Sequence, residues 1–326
     1  MTALTTNYAG LELKNPLIVG SSGLTNTVEK NVRLESAGAG ALVLKSIFEE
    51  QIEMKANDLL KTYTDYYPEA DDYLKTYLKA ETITNYIKLI EETKKVCTIP
   101  VIASINCFSA GTWISFAKQI EAAGADALQL NIYQLSTDKS TKAEEVELNY
   151  YSIVKEVSKQ LSIPVIVKLS PYFANMLHVI NQVKSNGAKA VVLFNRFYQP
   201  DIDIVKMNLT TGDSYSSPAE FGQTLRWLAF ASGKITQIDY AASTGIHTYE
   251  QIIKAILAGA SSVEVTSAIY KQGDAVIRQM LTGVETWMKK QGYYTIDEFK
   301  GKFNSEDSEH HNFFERVQFM KYFYSH

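Results

Sequence analysis

Four segments of the 326-residue chain superimpose without gaps: AGAGALVLK at 37–45, AGADALQLN at 123–131, NGAKAVVLF at 186–194 and AGASSVEVT at 258–266. Each reads as the end of a helix, a glycine and then a strand. Glycine is what a helix needs at its left-handed C′ position, and the apolar and β-branched run after it suits a parallel strand covered on both faces. A second kind of strand lies between these units. IPVIASIN (99–106) and IPVIVKLS (163–170) share a proline entry and a length, and NPLIVGSS (15–22) and ITQIDYAAS (235–243) fill the two remaining strand positions.

Amphipathic stretches separate the strands, at roughly 27–37, 81–96, 112–123, 143–160, 174–186, 218–231, 248–258 and 274–290. Strand and helix therefore alternate eight times, which predicts an α/β protein built as a (β/α)8 or TIM barrel. An open doubly wound sheet needs a G-x-G-x-x-G turn after its first strand, and GSSGLTN (20–26) is not one. Two excursions interrupt the barrel, 46–80 after strand 2 and 196–217 after strand 6. The first carries YTDYYPEADDYLKTY (63–77), a pattern for a lid or a subunit contact. Residues 1–303 read as one barrel domain and 304–326 as a linker with a C-terminal helix.

With 46% hydrophobic and 21% charged residues the chain has the composition of a globular protein, and no apolar run approaches the ~18 residues of a membrane span. The N-terminus lacks a basic region followed by an apolar stretch, which points to the cytoplasm. A net charge of −4 without a long basic cluster argues against nucleic acid and for a small-molecule partner. Cys97 and Cys107 are too few for a disulfide framework. His310 and His311 have only the carboxylates of a polar linker beside them and no cysteine or further histidine, so no metal is expected.

In such barrels the polar residues at strand C-termini face the site. They are Ser21, Ser22 and Gly23 after strand 1, Lys45 and Ser46 after strand 2, and Ser104 and Asn106 at strand 3. Strands 4 to 6 add Asn131, Lys168, Asn195 and Arg196; strands 7 and 8 add Ser243, Thr244, Gly245, Thr266 and Ser267. A lysine ending an apolar strand is costly unless it meets an anion or a polarised oxygen, which singles out Lys45 and Lys168. STGIHTYEQ (243–251) and VTSA (265–268) together form a candidate phosphate cradle of backbone N–H groups, with His247 in the loop. There is no Ser/His/Asp series, HExxH or CxxC. A flavin mononucleotide and a small polar substrate fit this inventory.

Over roughly residues 5–303 the chain resembles the dihydroorotate dehydrogenase family, in particular its soluble class 1 branch. The shared pieces, in order, are AGLELKNPLIVGSSG, GALVLKS, SINCFSAG, LQLN, IPVIVKLSPYF, the FN of 194–195, STGI, AGA and VTSA. The likeness is closer still to bacterial dihydroorotate-dehydrogenase-like proteins that carry LFNRFYQPDID, here 193–203. The resemblance implies a homodimeric FMN enzyme that oxidises dihydroorotate to orotate in pyrimidine synthesis by hydride transfer to flavin N5. It places Ser21, Ser22, Gly23, Lys45, Ser46, Asn131 and Lys168 along the flavin ring, with Lys168 at its N1/O2 edge. Ser243, Thr244, Gly245, Thr266 and Ser267 would hold the phosphate, and Lys45, Asn131, Asn195 and Arg196 the substrate.

Where the family carries Asn-Leu-Ser-Cys-Pro-Asn, this chain reads Asn131-Ile132-Tyr133-Gln134-Leu135-Ser136. The family's cysteine removes the C5 proton; Gln134 stands in its place, and a neutral amide has no useful basicity. Ser136 and Tyr133 are then the candidate catalytic bases, with Lys45 as the substrate's charge partner. Two further readings stay open: an FMN-binding member with another substrate or no dihydroorotate activity, and an aldolase-type lyase using Lys168 as Schiff-base nucleophile.

Overall fold

All four repeat glycines take the left-handed backbone that the sequence demands, Gly38 at φ 114°, Gly124 at 89°, Gly187 at 109° and Gly259 at 110°. In each case the glycine N–H and the following alanine N–H return to helix carbonyls three and five residues back, for example Gly38 to Glu35 and Ala39 to Leu34. The surroundings differ. A Cβ on Gly124 would meet only Lys94 Cγ at 4.0 Å, whereas one on Gly259 would collide with the Ser232 side chain. Gly124→Ala is expected to cost about 1–2 kcal/mol from the backbone alone, and Gly259→Ala distinctly more. Denaturant midpoints of the two variants check the ranking.

The computed structural model describes residues 2–48, 68–107, 113–132 and 134–315. Its eight barrel strands are β1 Leu17–Val19, β2 Ala41–Val43, β3 Val101–Cys107, β4 Ala127–Ile132, β5 Val165–Leu169, β6 Ala190–Leu193, β7 Asp239–Ser243 and β8 Ser262–Val265. Each pairs in parallel with the next, and β8 pairs with β1, closing the barrel. Eight helices surround it: α1 Val28–Ala37, α2 Pro68–Val96, α3 Trp113–Ala122, α4 Ala143–Gln160, α5 Met176–Ser185, α6 Phe221–Lys234, α7 Tyr249–Leu257 and α8 Ala275–Gln291. The (β/α)8 expectation is met in element order and in topology. Among the described residues no helix is long and apolar enough to cross a membrane.

The strands alternate, one set of side chains packing outward against the helices and the other filling the barrel. Ile18, Ala41, Val43, Ile102, Ala127, Ile166 and Ala190 form the inner apolar layer, and an N-terminal hairpin (Thr6–Tyr8 with Leu11–Leu13) closes its lower end with Tyr8 and Leu13. Cys97 is buried, and desolvation pushes its thiol up to about 12, which suits packing rather than reactivity.

Two departures from the expected layout have local causes. Helix α2 begins at Pro68 rather than at 81, because proline is pre-organised for the first helical turn and the acidic stretch Glu69 to Asp72 suits a helix N-terminus. Its apolar residues follow no single face, so periodicity does not announce it. The excursion after β6 contains a hairpin, Pro200–Asp203 paired with Asn208–Thr211. At the C-terminus Ser308–Phe314 is helical, and Phe314 and His311 pack on Phe230 of α6. Positions 49–67, with much of the tyrosine-rich stretch, and 316–326 lie outside the described residues.

A repeated device fixes strand entry. Glu35 Oε1 of α1 accepts from Thr98 N (2.9 Å), Thr98 Oγ1 (2.6 Å) and Ile99 N (3.2 Å), just before Pro100. Glu121 of α3 does the same to Ser162 N, Ser162 Oγ and Ile163 N before Pro164. Partial burial alone would raise the Glu35 carboxyl, but the hydrogen bonds from Thr98 and Ile99 outweigh it and lower it. Those from Ser162 lower Glu121. Both carboxyls ionise more readily in the folded chain. Their stabilisation is therefore present above the unfolded glutamate value of about 4.3, and it is lost as pH falls through the lowered folded values. E35Q/E121Q should be less stable than the parent at neutral pH and lose less of that stability on acidification. Urea midpoints at the two pH values check both.

Candidate active site

Inward positions change character along the barrel axis. On β3 they run Ile102, Ser104, Asn106; on β4 Ala127, Gln129, Asn131; on β5 Ile166, Lys168; and on β8 Ser262, Glu264, with Thr266 beyond the strand. The register aligns Asn106 with Asn131 and Asn131 with Lys168, a lateral polar row at the upper ends of three neighbouring strands. The sequence places its site at this end of the barrel, and the apolar-to-polar gradient agrees.

One member of that row, Lys168, belongs to a buried charged cluster. Lys168 Nζ is 2.7 Å from Glu264 Oε2, with side-chain exposures of 11% and 1%. Gln129 Nε2 donates to the other carboxylate oxygen. Above it, Asn195 Nδ2 donates to Asn131 Oδ1 at 3.0 Å. Asn106 Oδ1 and Gln129 Oε1, buried acceptors beside this cluster, have no partner among the described residues.

Strands β1 to β3 meet through hydroxyls. Ser21 Oγ lies 2.9 Å from Ser46 Oγ, and Ser46 Oγ lies 2.6 Å from Ser104 Oγ. Tyr86 of α2 anchors this chain, donating to Ser104 O and accepting from Ser104 N. Ser22 accepts from Leu24 N and so caps the turn at Gly23, whose carbonyl accepts from Lys30 Nζ at 2.8 Å. Lys45 is half-buried at the end of β2.

The phosphate-cradle residues are brought together by a segment that local sequence reading does not flag. Ser216 N donates to Ser267 Oγ (3.0 Å), Gly245 N donates to Ser216 Oγ (3.4 Å), and Lys271 Nζ donates to Ser216 O (3.0 Å). His247 Nε2 is 3.1 Å from Ser216 Oγ. Desolvation, with Lys271 close by, lowers this imidazole's pKa and favours its neutral form. Thr244 and Gly245 both have positive φ, 75° and 80°. A Cβ on Gly245 would sit 2.5 Å from Phe221 N, so only glycine lets this loop approach α6. Thr244 Oγ1 donates to Phe194 O, Ser243 O accepts from Thr224, and half-buried Thr266 precedes the turn carrying Ser267.

Arg196 and Lys168 are engaged differently from the sequence expectation. Arg196, expected to hold a substrate carboxylate in two-pronged fashion, donates through Nε to Glu220 (2.8 Å) and through Nη1 to the Asp213 and Ser214 carbonyls. Each edge of its guanidinium has a nitrogen occupied, so it braces the loop after β6. Ser136 is exposed on the loop after β4, and Gln134 accepts from Asn149 of α4 at 3.0 Å. Tyr133 lies outside the described residues. Lys168 Nζ is engaged by Glu264 at 2.7 Å, so it is not free to attack a carbonyl carbon.

Glu264, Gln129, Tyr86, Ser216 and Lys271 join the site without having been singled out by sequence. For Glu264 a signal exists: an acid in the middle of an apolar strand needs a buried partner, the argument that picks out Lys168.

These residues fit a flavin mononucleotide. The two unpartnered acceptors and the Lys168 ammonium suit the polar edge of its ring, and the N–H groups around Gly245 and Ser267, with Lys271 nearby, suit its phosphate. Among the described residues no three His, Cys, Asp or Glu side chains converge to hold a metal.

Comparison with known proteins identifies the family of this barrel. The sequence model of the family described as dihydroorotate dehydrogenase matches residues 3–288. The catalytic subunit of dihydroorotate dehydrogenase B (NAD(+)) from Thermoplasma acidophilum is 28% identical over 309 residues, 92% of this chain and 99% of the relative. The NAD-dependent dihydropyrimidine dehydrogenase subunit PreA of Escherichia coli is 24% identical over 324 residues, 93% of this chain and 77% of that protein. Among solved structures, a dihydroorotate dehydrogenase from Eimeria tenella in complex with ferulenol shares the fold with a TM-score of 0.64 at 14% identity, over 92% of this chain and 88% of that one. A match across nearly the whole barrel, on a scaffold whose polar strand ends form one mouth, means that the chain belongs to the dihydroorotate dehydrogenase family.

Proposed function

We propose that the protein is an FMN-dependent oxidoreductase acting on a CH–CH bond of a small cyclic amide, with dihydroorotate as the first substrate to test. The observation that carries this reading is the Asn131–Asn195 pair beside Lys168. With Asn195 Nδ2 donating to Asn131 Oδ1, the pair still presents an N–H donor on Asn131 and a carbonyl acceptor on Asn195. A donor beside an acceptor complements the C(=O)–N–H edge of a lactam ring. Lys45 adds a cation for a substrate carboxylate.

Bound FMN supplies the two-electron acceptor for hydride. The chain's own work is to orient the ring through the Asn pair, to balance charge through Lys45, and to keep the hydroxyl chain Ser21–Ser46–Ser104 along the cofactor face. Proton removal falls to Ser136 or Tyr133, weak bases that act through a partner or water. The bond from Asn149 to Gln134 favours a second reading, a family member with another substrate, because the amide at the family's base position is held by α4.

Purified protein mixed with FMN should develop the visible flavin bands and retain them through gel filtration. A colourless protein overturns the reading. A homodimer is supported by the hairpin after β6, where Ile202, Val205, Met207 and Leu209 are 61–88% exposed. Val205→Glu is expected to shift a sedimenting dimer to monomer.

A further inference from the structure

We infer that Glu264 is a positioning residue that fixes the Lys168 ammonium and cancels its charge, so that the net charge of this pair sets the reduction potential of the bound flavin. The inference rests on the FMN reading above and concerns a residue outside that reading. Glu264 is the deeper member, with 1% side-chain exposure against 11% for Lys168. Burying a carboxylate this deep is costly unless it is paired, and Lys168 at 2.7 Å and Gln129 are its partners. Below it, burial, Glu264 and Asp239 push the Tyr8 phenol well above its ordinary value, so Tyr8 stays neutral and adds no charge.

A flavin gains negative charge on its N1 edge when reduced, and a protein tunes that step by the charge placed nearby. A lone Lys168 ammonium would favour the reduced form strongly. Paired with Glu264 it keeps its N–H donors and its position while the net charge of the pair is zero. The pair is well shielded from solvent, so screening by salt is weak.

The test is the midpoint potential of FMN in the full-length protein, read by anaerobic spectroelectrochemistry in the parent, E264Q, K168Q and the K168Q/E264Q double variant. Pair charges of 0, +1, −1 and 0 predict three levels, with the double variant returning to that of the parent. E264Q should favour the reduced flavin at least tenfold, a positive shift of about 30 mV for a two-electron couple. K168Q should shift as far the other way, and the double variant should lie within about threefold of the parent. The double variant replaces both charges by neutral amides and is the one expected to fold if either single variant does not. An E264Q potential within about threefold of the parent overturns the inference, and so does a double variant as negative as K168Q. A parent that takes up no FMN removes the functional reading and this inference with it, whereas a yellow parent with a potential indifferent to Glu264 removes this inference alone.

Discussion

Replacing Lys168 by methionine is expected to lower the stability of the ligand-free protein by about 3–5 kcal/mol, the usual cost of stripping one partner from a buried ion pair. The stripped partner is the deeper one. Glu264 would keep only the neutral Gln129 donor inside the barrel, a few positions above the apolar layer of Ile102, Ala127 and Ile166. Removing both charges should be far milder, because two packed apolar side chains leave no orphan ion. Lys168→Met/Glu264→Leu is therefore expected to recover most of the loss. Urea midpoints of the three proteins decide the matter, and a single variant that loses less than about 1 kcal/mol would place the pair among weak, solvated bridges instead.

The second large effect is a gain. Gln134→Cys returns a titratable group to the position where the family carries its base, and general-base catalysis is worth about 10²–10⁴ in rate. Flavin reduction by dihydroorotate should accelerate by about 10²-fold at the lower end of that range. Because the thiolate is the base, the rate should climb with pH through thiol ionisation, near 8.5 for an unperturbed cysteine. The parent, relying on hydroxyl groups, should lack that step. An acceleration without the pH dependence would mean that cysteine acts by releasing Asn149 from its bond with Gln134 rather than as a base.

What the sequence makes legible is what short-range rules control. The four Gly-strand units, the proline entries and seven of the eight helices need only local cap chemistry and periodicity, and strand ends such as Asn131 and Lys168 follow once the barrel is assumed. The start of α2 is hidden because its apolar residues follow no single face, although Pro68 marks it. Ser216 is hidden for another reason: it reaches Ser267 across 51 positions and Gly245 across 29, and nothing local distinguishes it from its neighbours. Arg196 shows the limit of reading a strand end by residue type. The sequence offers a guanidinium at the mouth, while the fold pairs it with Glu220 and the loop carbonyls. Glu264 was readable by the rule that singles out Lys168, since the two share one ion pair.

The central claim is that this mouth binds FMN and passes a hydride to it from a cyclic amide. Anaerobic mixing of the FMN-loaded protein with dihydroorotate, followed at the visible flavin band, tests it most directly. Bleaching is expected in the parent, slowly, and in Gln134→Cys about 10²-fold faster; a flavin that stays oxidised in both rules this chemistry out.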